Sequence, residues 1–305
     1  MAAHSFPLPA DPALAEPLLA GALASIPSPS RSSVSLGPLE LRAYGIAIGA
    51  SVLVALWITT RRWRWAIAAH DAGYQADARD LVGSVAVWAV PAGLIGARLY
   101  HVITDFGRYQ DSLADTLKIW QGGLGIWGGI STGVVVAAWR LRRGGHSTAT
   151  MLDALAPAIP VAQAIGRLGN WFNQELYGRP TDLPWALEID PAHRVSGYGL
   201  EDTFHPTFAY EALWNLCLAA ALVWVVPRVL PRLRPGYLFA VYVLGYTVGR
   251  FWIELLRIDD ANEWWGVRIN VWVSAVVGLA ALAGVLVGLR RIPADDAEAA
   301  AVRPD

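Results

Sequence analysis

The chemistry in this sequence concentrates in the run Gly166-Arg167-Leu168-Gly169-Asn170-Trp171-Phe172-Asn173-Gln174-Glu175-Leu176-Tyr177-Gly178, which sets an arginine and four polar or acidic partners between glycines. A passive helix terminus needs no such density of hydrogen-bonding groups. Arg98 comes earlier; later, Arg250 and Glu254 lie four apart, on one helix face, with Arg257 beyond. A guanidinium grips phosphate through a planar two-pronged fork, so the set suits an anion, and an anionic phospholipid head group is the natural candidate. Plainer readings compete: Arg98 can snorkel, Arg250 and Glu254 can be a structural pair, and Arg257 can anchor a span at the interface. His205, ahead of Pro206, is either a loop histidine or a proton acceptor, while His70, His146 and His193 read as ordinary loop residues.

Composition says where these residues live. Of 305 residues, 55% are hydrophobic and 16% charged, against about 25% charged in a soluble domain, so the chain reads as an integral membrane protein. A net charge of −1 excludes a general nucleic-acid binder. The single cysteine, Cys217, cannot form an internal disulfide or a multi-thiolate metal site, and reads as a core residue.

The elements that must position the polar set are spans. Crossing a bilayer takes roughly 20 apolar residues, and the sequence predicts an all-α polytopic protein of seven transmembrane helices, at 41–60, 81–100, 123–139, 152–168, 208–227, 236–255 and 269–289. The fourth carries Pro157 and Pro160, which distort a helix unless neighbours support it. Arginines gather after the first, third, fifth and seventh spans, at Arg61, Arg62, Arg64, Arg79, Arg140, Arg142, Arg143, Arg228, Arg232, Arg234, Arg290 and Arg291. Those loops are therefore read as cytoplasmic, the N-terminus as outside and the C-terminus as inside. The expected organisation is a loose external tail over 1–40 with an interfacial helix near Leu14 to Ala24, a seven-span domain over 41–290 with an external head at about 170–206, and a cytoplasmic tail over 291–305. On this topology Tyr44, Arg98, Gln121, Trp127, Arg167, His205, Arg250 and Glu254 all fall toward the external leaflet. An ionisable group near the midplane costs about 2.5–3.5 kcal/mol or more, and a transport path would place polar groups toward both sides. The glycines from Gly122 to Gly133 lack the Gly-Lys-Ser/Thr ending of a phosphate loop and read as helix packing, through the Gly125/Gly129 spacing.

The Gly166–Gly178 run resembles the GRxGNxxNxExxG signature of the prolipoprotein diacylglyceryl transferases and meets every fixed position. The resemblance continues in order through Leu41-Arg42-Ala43-Tyr44-Gly45, Gly96-Ala97-Arg98-Leu99, Trp120-Gln121-Gly122-Gly123-Leu124, His205-Pro206-Thr207 with Tyr210-Glu211, and Gly249-Arg250-Phe251 to Arg257, covering about 40–290. It implies a seven-span bacterial plasma-membrane enzyme with its site toward the external leaflet. Such an enzyme moves the diacylglyceryl group of phosphatidylglycerol onto the lipobox cysteine of a preprolipoprotein signal peptide, with no metal or organic cofactor. It implies catalytic roles for Arg167, Arg250, Asn170, Glu175 and His205, and substrate contacts from Tyr44, Arg98, Gln121, Trp127, Gly178, Glu254 and Arg257. One position departs: many members carry a histidine directly before the glycine pair at Gly128, and here it is Trp127, which cannot accept a proton. Either His205 or Glu254 replaces it, or the cationic site itself favours the thiolate, the reading we prefer. The competing functions are a phospholipid-binding scaffold or lipid transporter without chemistry, and a transferase with another acceptor, such as a glycan.

Overall fold

The computed structural model describes residues 25–36, 39–110, 112–119, 122–231 and 233–290. Gln121, the expected interfacial helix near residues 14–24 and the expected tail over 291–305 lie outside them.

The chain is mostly helical. A short hairpin, β1 (Ser33–Leu36) and β2 (Leu39–Arg42), leads into α1 (Ala43–Ala66), α2 (Ala72–Ala78), α3 (Leu81–Thr104) and α4 (Ile126–Arg143). Then come α5 (Thr148–Leu155), α6 (Ala158–Asn173), the ribbon β3 (Leu187–Glu188) with β4 (Thr203–Phe204), and α7 (Thr207–Ala220), which continues through a π-helical turn at Ala221–Val225 to Val229. The last elements are α8 (Leu238–Glu254), the hairpin β5 (Glu263–Trp264) with β6 (Val267–Arg268), and α9 (Ile269–Gly288). The three antiparallel ribbons were not expected from hydropathy, because strands of two to four residues are too short to show a period.

Among the described residues, five helical stretches are long and apolar enough to cross a membrane: Ala43–Ala66, Ala72–Thr104, Thr148–Asn173, Thr207–Val229 and Ile269–Gly288. The other two expected spans are helices as well. However, α4 carries Arg140, Arg142 and Arg143 in its last turn, and α8 has 17 residues and ends on Arg250 and Glu254. The fourth span breaks where its prolines stand: α5 stops at Leu155 and α6 restarts at Ala158, both prolines being fully buried. Pro160 then occupies a first turn, where a missing N–H costs no helix bond.

The chain divides into two compact units. In the unit containing Ser51–Ala162, Cys217–Tyr246 and residues from Val277 on, Trp63 is fully buried among Leu81, Leu141 and Met151, its indole N–H donating to Ala78 O at 2.8 Å. Helices α3 and α4 meet through glycines: a Cβ on Gly96 would stand 2.7 Å from Gly128 O, and one on Gly128 2.3 Å from Gly96 O. Small residues thus bring two backbones together where lipid supplies no hydrophobic drive. Asp153 on α5 accepts from the N–H groups of Gly236 (2.8 Å) and Leu238 (3.1 Å), satisfying orphan donors at the start of α8. Cys217, expected in the core, lies on an exposed face of α7, where a small thiol faces lipid as easily as protein. An apolar cavity of about 400 Å³ in this unit has no ionisable group in its lining, which includes Val52, Leu56, Val85, Val134 and Leu155.

The other unit holds the described part of Met1–Ala50 with Gln163–Leu216 and Thr247–Val276. Its head packs Tyr177, Leu187, Ile189, Phe204 and Phe208 into a small core around β3 and β4. The residues just before β1 are not a loose tail: Ile26 N–H donates to Ala186 O (2.6 Å), Glu188 N–H donates to Ile26 O (2.9 Å), and Trp171 and Gln174 donate to Pro27 O and Pro29 O. Backbone amides beside a short strand need partners, and this segment supplies them.

Candidate functional site

The site is built at the end of α6. Gln174 takes a left-handed backbone (φ 52°), so its N–H reaches Trp171 O (3.2 Å) and the Glu175 N–H reaches Asn170 O (3.1 Å). This is the paired closure that usually has glycine at the left-handed position. Glutamine is held there because its side chain donates to Asp190 Oδ2 (2.6 Å) and accepts from the Asp190 N–H (2.8 Å). The turn folds Glu175 back over the helix, where its Oε1 accepts from Asn170 Nδ2 (2.8 Å) and Asn173 Nδ2 (3.1 Å). Asn170 in turn accepts from Arg167 Nη1 (3.3 Å). Glu175 therefore fixes Asn170, and Asn170 helps to aim Arg167.

The other terminal nitrogen of Arg167 donates to Oε1 of Glu211 on α7, while Oε2 of Glu211 accepts from Arg250 Nη1 on α8 (3.3 Å). A single buried carboxylate thus spaces two guanidiniums from different helices. Arg250 Nη2 lies 2.7 Å from Glu254 Oε2, and Arg257 Nη1 lies 3.5 Å from the same oxygen. Glu254 is fully buried, and its Oε1 accepts from Arg268 Nε (2.8 Å) and Asn270 Nδ2 (3.0 Å). Arg257 grips Asp259 with two bonds of 2.7 Å, and Arg268 Nη2 adds a third at 3.1 Å. Burial pushes the Asp259 carboxyl up, but the bond from Arg257 and the charges of Arg257 and Arg268 hold it below the usual range. Four guanidiniums are interleaved with three carboxylates in a mostly buried chain of ion pairs. A polar cleft of about 480 Å³, lined in part by Arg179, Arg257, Asp259 and Arg268, opens onto it.

A family model described as prolipoprotein diacylglyceryl transferase matches residues 31–287. The chain belongs to the prolipoprotein diacylglyceryl transferase family. A phosphatidylglycerol–prolipoprotein diacylglyceryl transferase of Frankia alni is 51% identical over 277 residues, covering 89% of this chain and 70% of that protein. One of Streptomyces griseus is 48% identical over 275 residues, covering 89% and 80%, and one from Bifidobacterium adolescentis is 45% identical over 269 residues, covering 84% and 77%.

Of the residues that the family resemblance singles out, Arg167, Asn170, Glu175, Arg250, Glu254 and Arg257 join one network. Tyr44 opens α1 against Gly169: a Cβ there would stand 2.5 Å from Tyr44 Cδ2. Gly178 is wedged between chains, its N–H on His205 O (2.9 Å), and a Cβ would meet His205 Cβ at 2.9 Å and Leu256 O at 3.0 Å. His205 stands apart from the arginines in its contacts: Nδ1 lies 3.0 Å from the Tyr210 hydroxyl, which accepts from Trp185 Nε1 at 2.9 Å. Burial, with help from the Arg179 charge, pulls the His205 imidazole below its ordinary value. In the other unit, Trp127 lies exposed in the first turn of α4. There too, Arg98 commits all five N–H groups to backbone carbonyls: Nε to Thr116, Nη1 to Gly122 and Gly123, and Nη2 to Asp115 and Lys118.

Glu211 enters the sequence reading only as part of the resemblance, with no site role, and Asp259, Arg268 and Asn270 do not enter it. Glu211 carries a signal in the sequence: it is the sole Asp, Glu, Lys or Arg in α7 before Arg228, and a carboxylate inside an apolar helix demands a cationic partner.

Proposed function

We propose that this chain transfers the diacylglyceryl group of phosphatidylglycerol to the lipobox cysteine of a preprolipoprotein, and that Arg167 and Arg250 hold the phosphate that leaves. The observation that carries the reading is the Glu211 bridge. It fixes two guanidiniums side by side while, among the described residues, the bonds to Asn170, Glu211 and Glu254 engage two of the five N–H groups on each. The remaining donors suit a phosphate diester, and donors set in place before reaction stabilise charge as it develops. In the step itself, the cysteine sulfur forms a bond to the terminal glycerol carbon of the diacylglyceryl group. The carbon–oxygen bond to phosphate breaks, its electron pair leaves on that oxygen, and glycerol phosphate departs. The thiol proton passes to solvent or to the leaving phosphate, and nearby cations favour the thiolate, whose ordinary value is about 8.5.

His205, which contacts Tyr210, and Glu254, which accepts from Arg268 and Asn270 and pairs with Arg250, are not assigned that proton in this reading. Arg98, with every donor engaged, holds the loop before α4 rather than the lipid. Asn170, Glu175, Glu254 and Arg257 orient the two phosphate-binding arginines, Tyr44 borders the head group, and Gly178 permits close approach. Trp127, and Gln121 outside the described residues, keep the substrate contacts that the family resemblance implies.

The enzyme is multi-pass in the plasma membrane, with seven spans, the N-terminus outside and the site toward the external leaflet. The helical character of α4 and α8 supports two spans beyond the five that are long and apolar enough, their charges falling at helix ends. Membranes holding the protein should convert a lipobox peptide and phosphatidylglycerol to a diacylglyceryl thioether, read as a mass gain on the cysteine; no gain defeats the assignment. Arg167→Ala and Arg250→Ala should each abolish turnover in inserted protein, and full activity in either removes that residue from the mechanism. Reporter fusions that place residues 140–150 outside would overturn the topology.

A further inference from the structure

We infer that the β5–β6 hairpin is a lipid-interface anchor, with Trp264, Trp265 and Trp272 seated in the head-group layer of the same leaflet that the arginine network faces. The hairpin turns through Trp265 and Gly266, since Glu263 pairs with Arg268 and Trp264 with Val267. Both turn residues have positive φ, 54° and 70°, the primed turn that favours asparagine followed by glycine. A bulky tryptophan in that first position is strained, and strain kept at an exposed tip calls for a compensating contact. Trp265 is 78% exposed, Trp264 55% and Trp272 36%, yet the three rings cluster: Trp264 stacks on Trp265 at 4.7 Å, and Trp272 meets both edge-on near 6 Å.

The occupant of this face follows from what adjoins it. Strand β6 ends at Arg268 and α9 begins at Ile269, so the aromatic cluster sits where an apolar helix of membrane-crossing length emerges. Indole rings, apolar with one polar edge, favour that level of a bilayer. The same strand carries Arg268, which donates to Glu254 Oε1, and Glu254 contacts Arg250. An anchored hairpin therefore sets the depth of the phosphate-binding arginines relative to lipid phosphates. The inference concerns placement and its readout needs no turnover, so it stands or falls separately from the transferase reaction.

The test uses full-length protein with Cys217→Ser and Glu263→Cys, spin-labelled at residue 263, in nanodiscs of phosphatidylcholine and phosphatidylglycerol. Accessibility to molecular oxygen against a water-soluble nickel chelate reports depth. The oxygen-to-nickel ratio should mark the head-group layer, and Trp265→Gly, which relieves the strained φ, should lower it at least twofold while thermal stability holds or rises. Trp265→Asn should behave as the glycine variant does, and Trp265→Phe should keep the ratio. Nickel-dominated access in the starting protein, or a ratio indifferent to all three substitutions, overturns the anchor.

Discussion

Arg167 on α6 and Glu211 on α7 are joined across 44 positions of sequence by one guanidinium–carboxylate contact, and the second oxygen of Glu211 is the one that receives Arg250. The carboxylate acts as a spacer that holds two cations at a separation they would not otherwise keep, since like charges at close range repel.

Glu211→Gln should test the spacer. Glutamine offers one acceptor oxygen in place of two, so one arginine loses its partner while side-chain volume is kept. Lipidation of a lipobox peptide should fall at least tenfold, read by mass spectrometry. Thermal stability in detergent should fall too, because breaking a buried ion pair from one side costs about 3–5 kcal/mol. Unchanged turnover would show that the arginines do not need the bridge.

Gly169→Ala should force Tyr44 aside, the added Cβ standing 2.5 Å from the ring. Overpacking of this kind costs about 1–3 kcal/mol. Adding Tyr44→Ala should restore thermal stability by removing the obstacle, yet should not restore lipidation if the tyrosine borders the head group. Recovery of both would reduce Tyr44 to a packing residue.

Arg98→Lys should loosen the segment before α4. A lysine brings three donors on one nitrogen and cannot span five carbonyls spread from Asp115 to Gly123. Limited proteolysis between residues 106 and 119 should quicken, with KM for phosphatidylglycerol unchanged in the remaining enzyme. A raised KM without new cleavage would return Arg98 to the lipid.

His205 gives a pH dependence of stability with a definite sign. Its folded value lies below the ordinary 6.5, so above that pH the imidazole is neutral whether folded or not. As pH falls, the unfolded chain takes up the proton first, and stability drops until the folded value is passed. Thermal unfolding from pH 8 to pH 5 should show a shallower decline in His205→Gln. That variant should also keep its lipidation activity; loss of activity with stability intact would make His205 the proton acceptor.

Hydropathy located the helices, because one apolar side chain after another must face lipid wherever a span runs. It could not locate the two-residue strands, which are too short to show a period, or the segment at residues 26–29 that pairs with the head, since its partners lie more than 140 positions away. Regular spacing made Arg250 and Glu254 legible as one face, and the Gly166–Gly178 run marked the family. Arg98 shows the limit: in the sequence it matches Arg167 as an arginine toward the end of an apolar span, and the difference lies in what surrounds it.

The amino-acid sequence by itself thus determined membrane residence, the family, and the arginines and signature residues from which a phosphate site can be made, all properties of residue type and local order. The tertiary structure decided what each guanidinium engages. Arg167 and Arg250 meet on Glu211, Arg98 spends every N–H on a loop, and Arg268 reaches back to Glu254 from a tryptophan hairpin. The reason is physical: a hydrogen bond is satisfied by whatever lies within about 3 Å, and in a folded chain that partner is set by packing and not by neighbours in sequence.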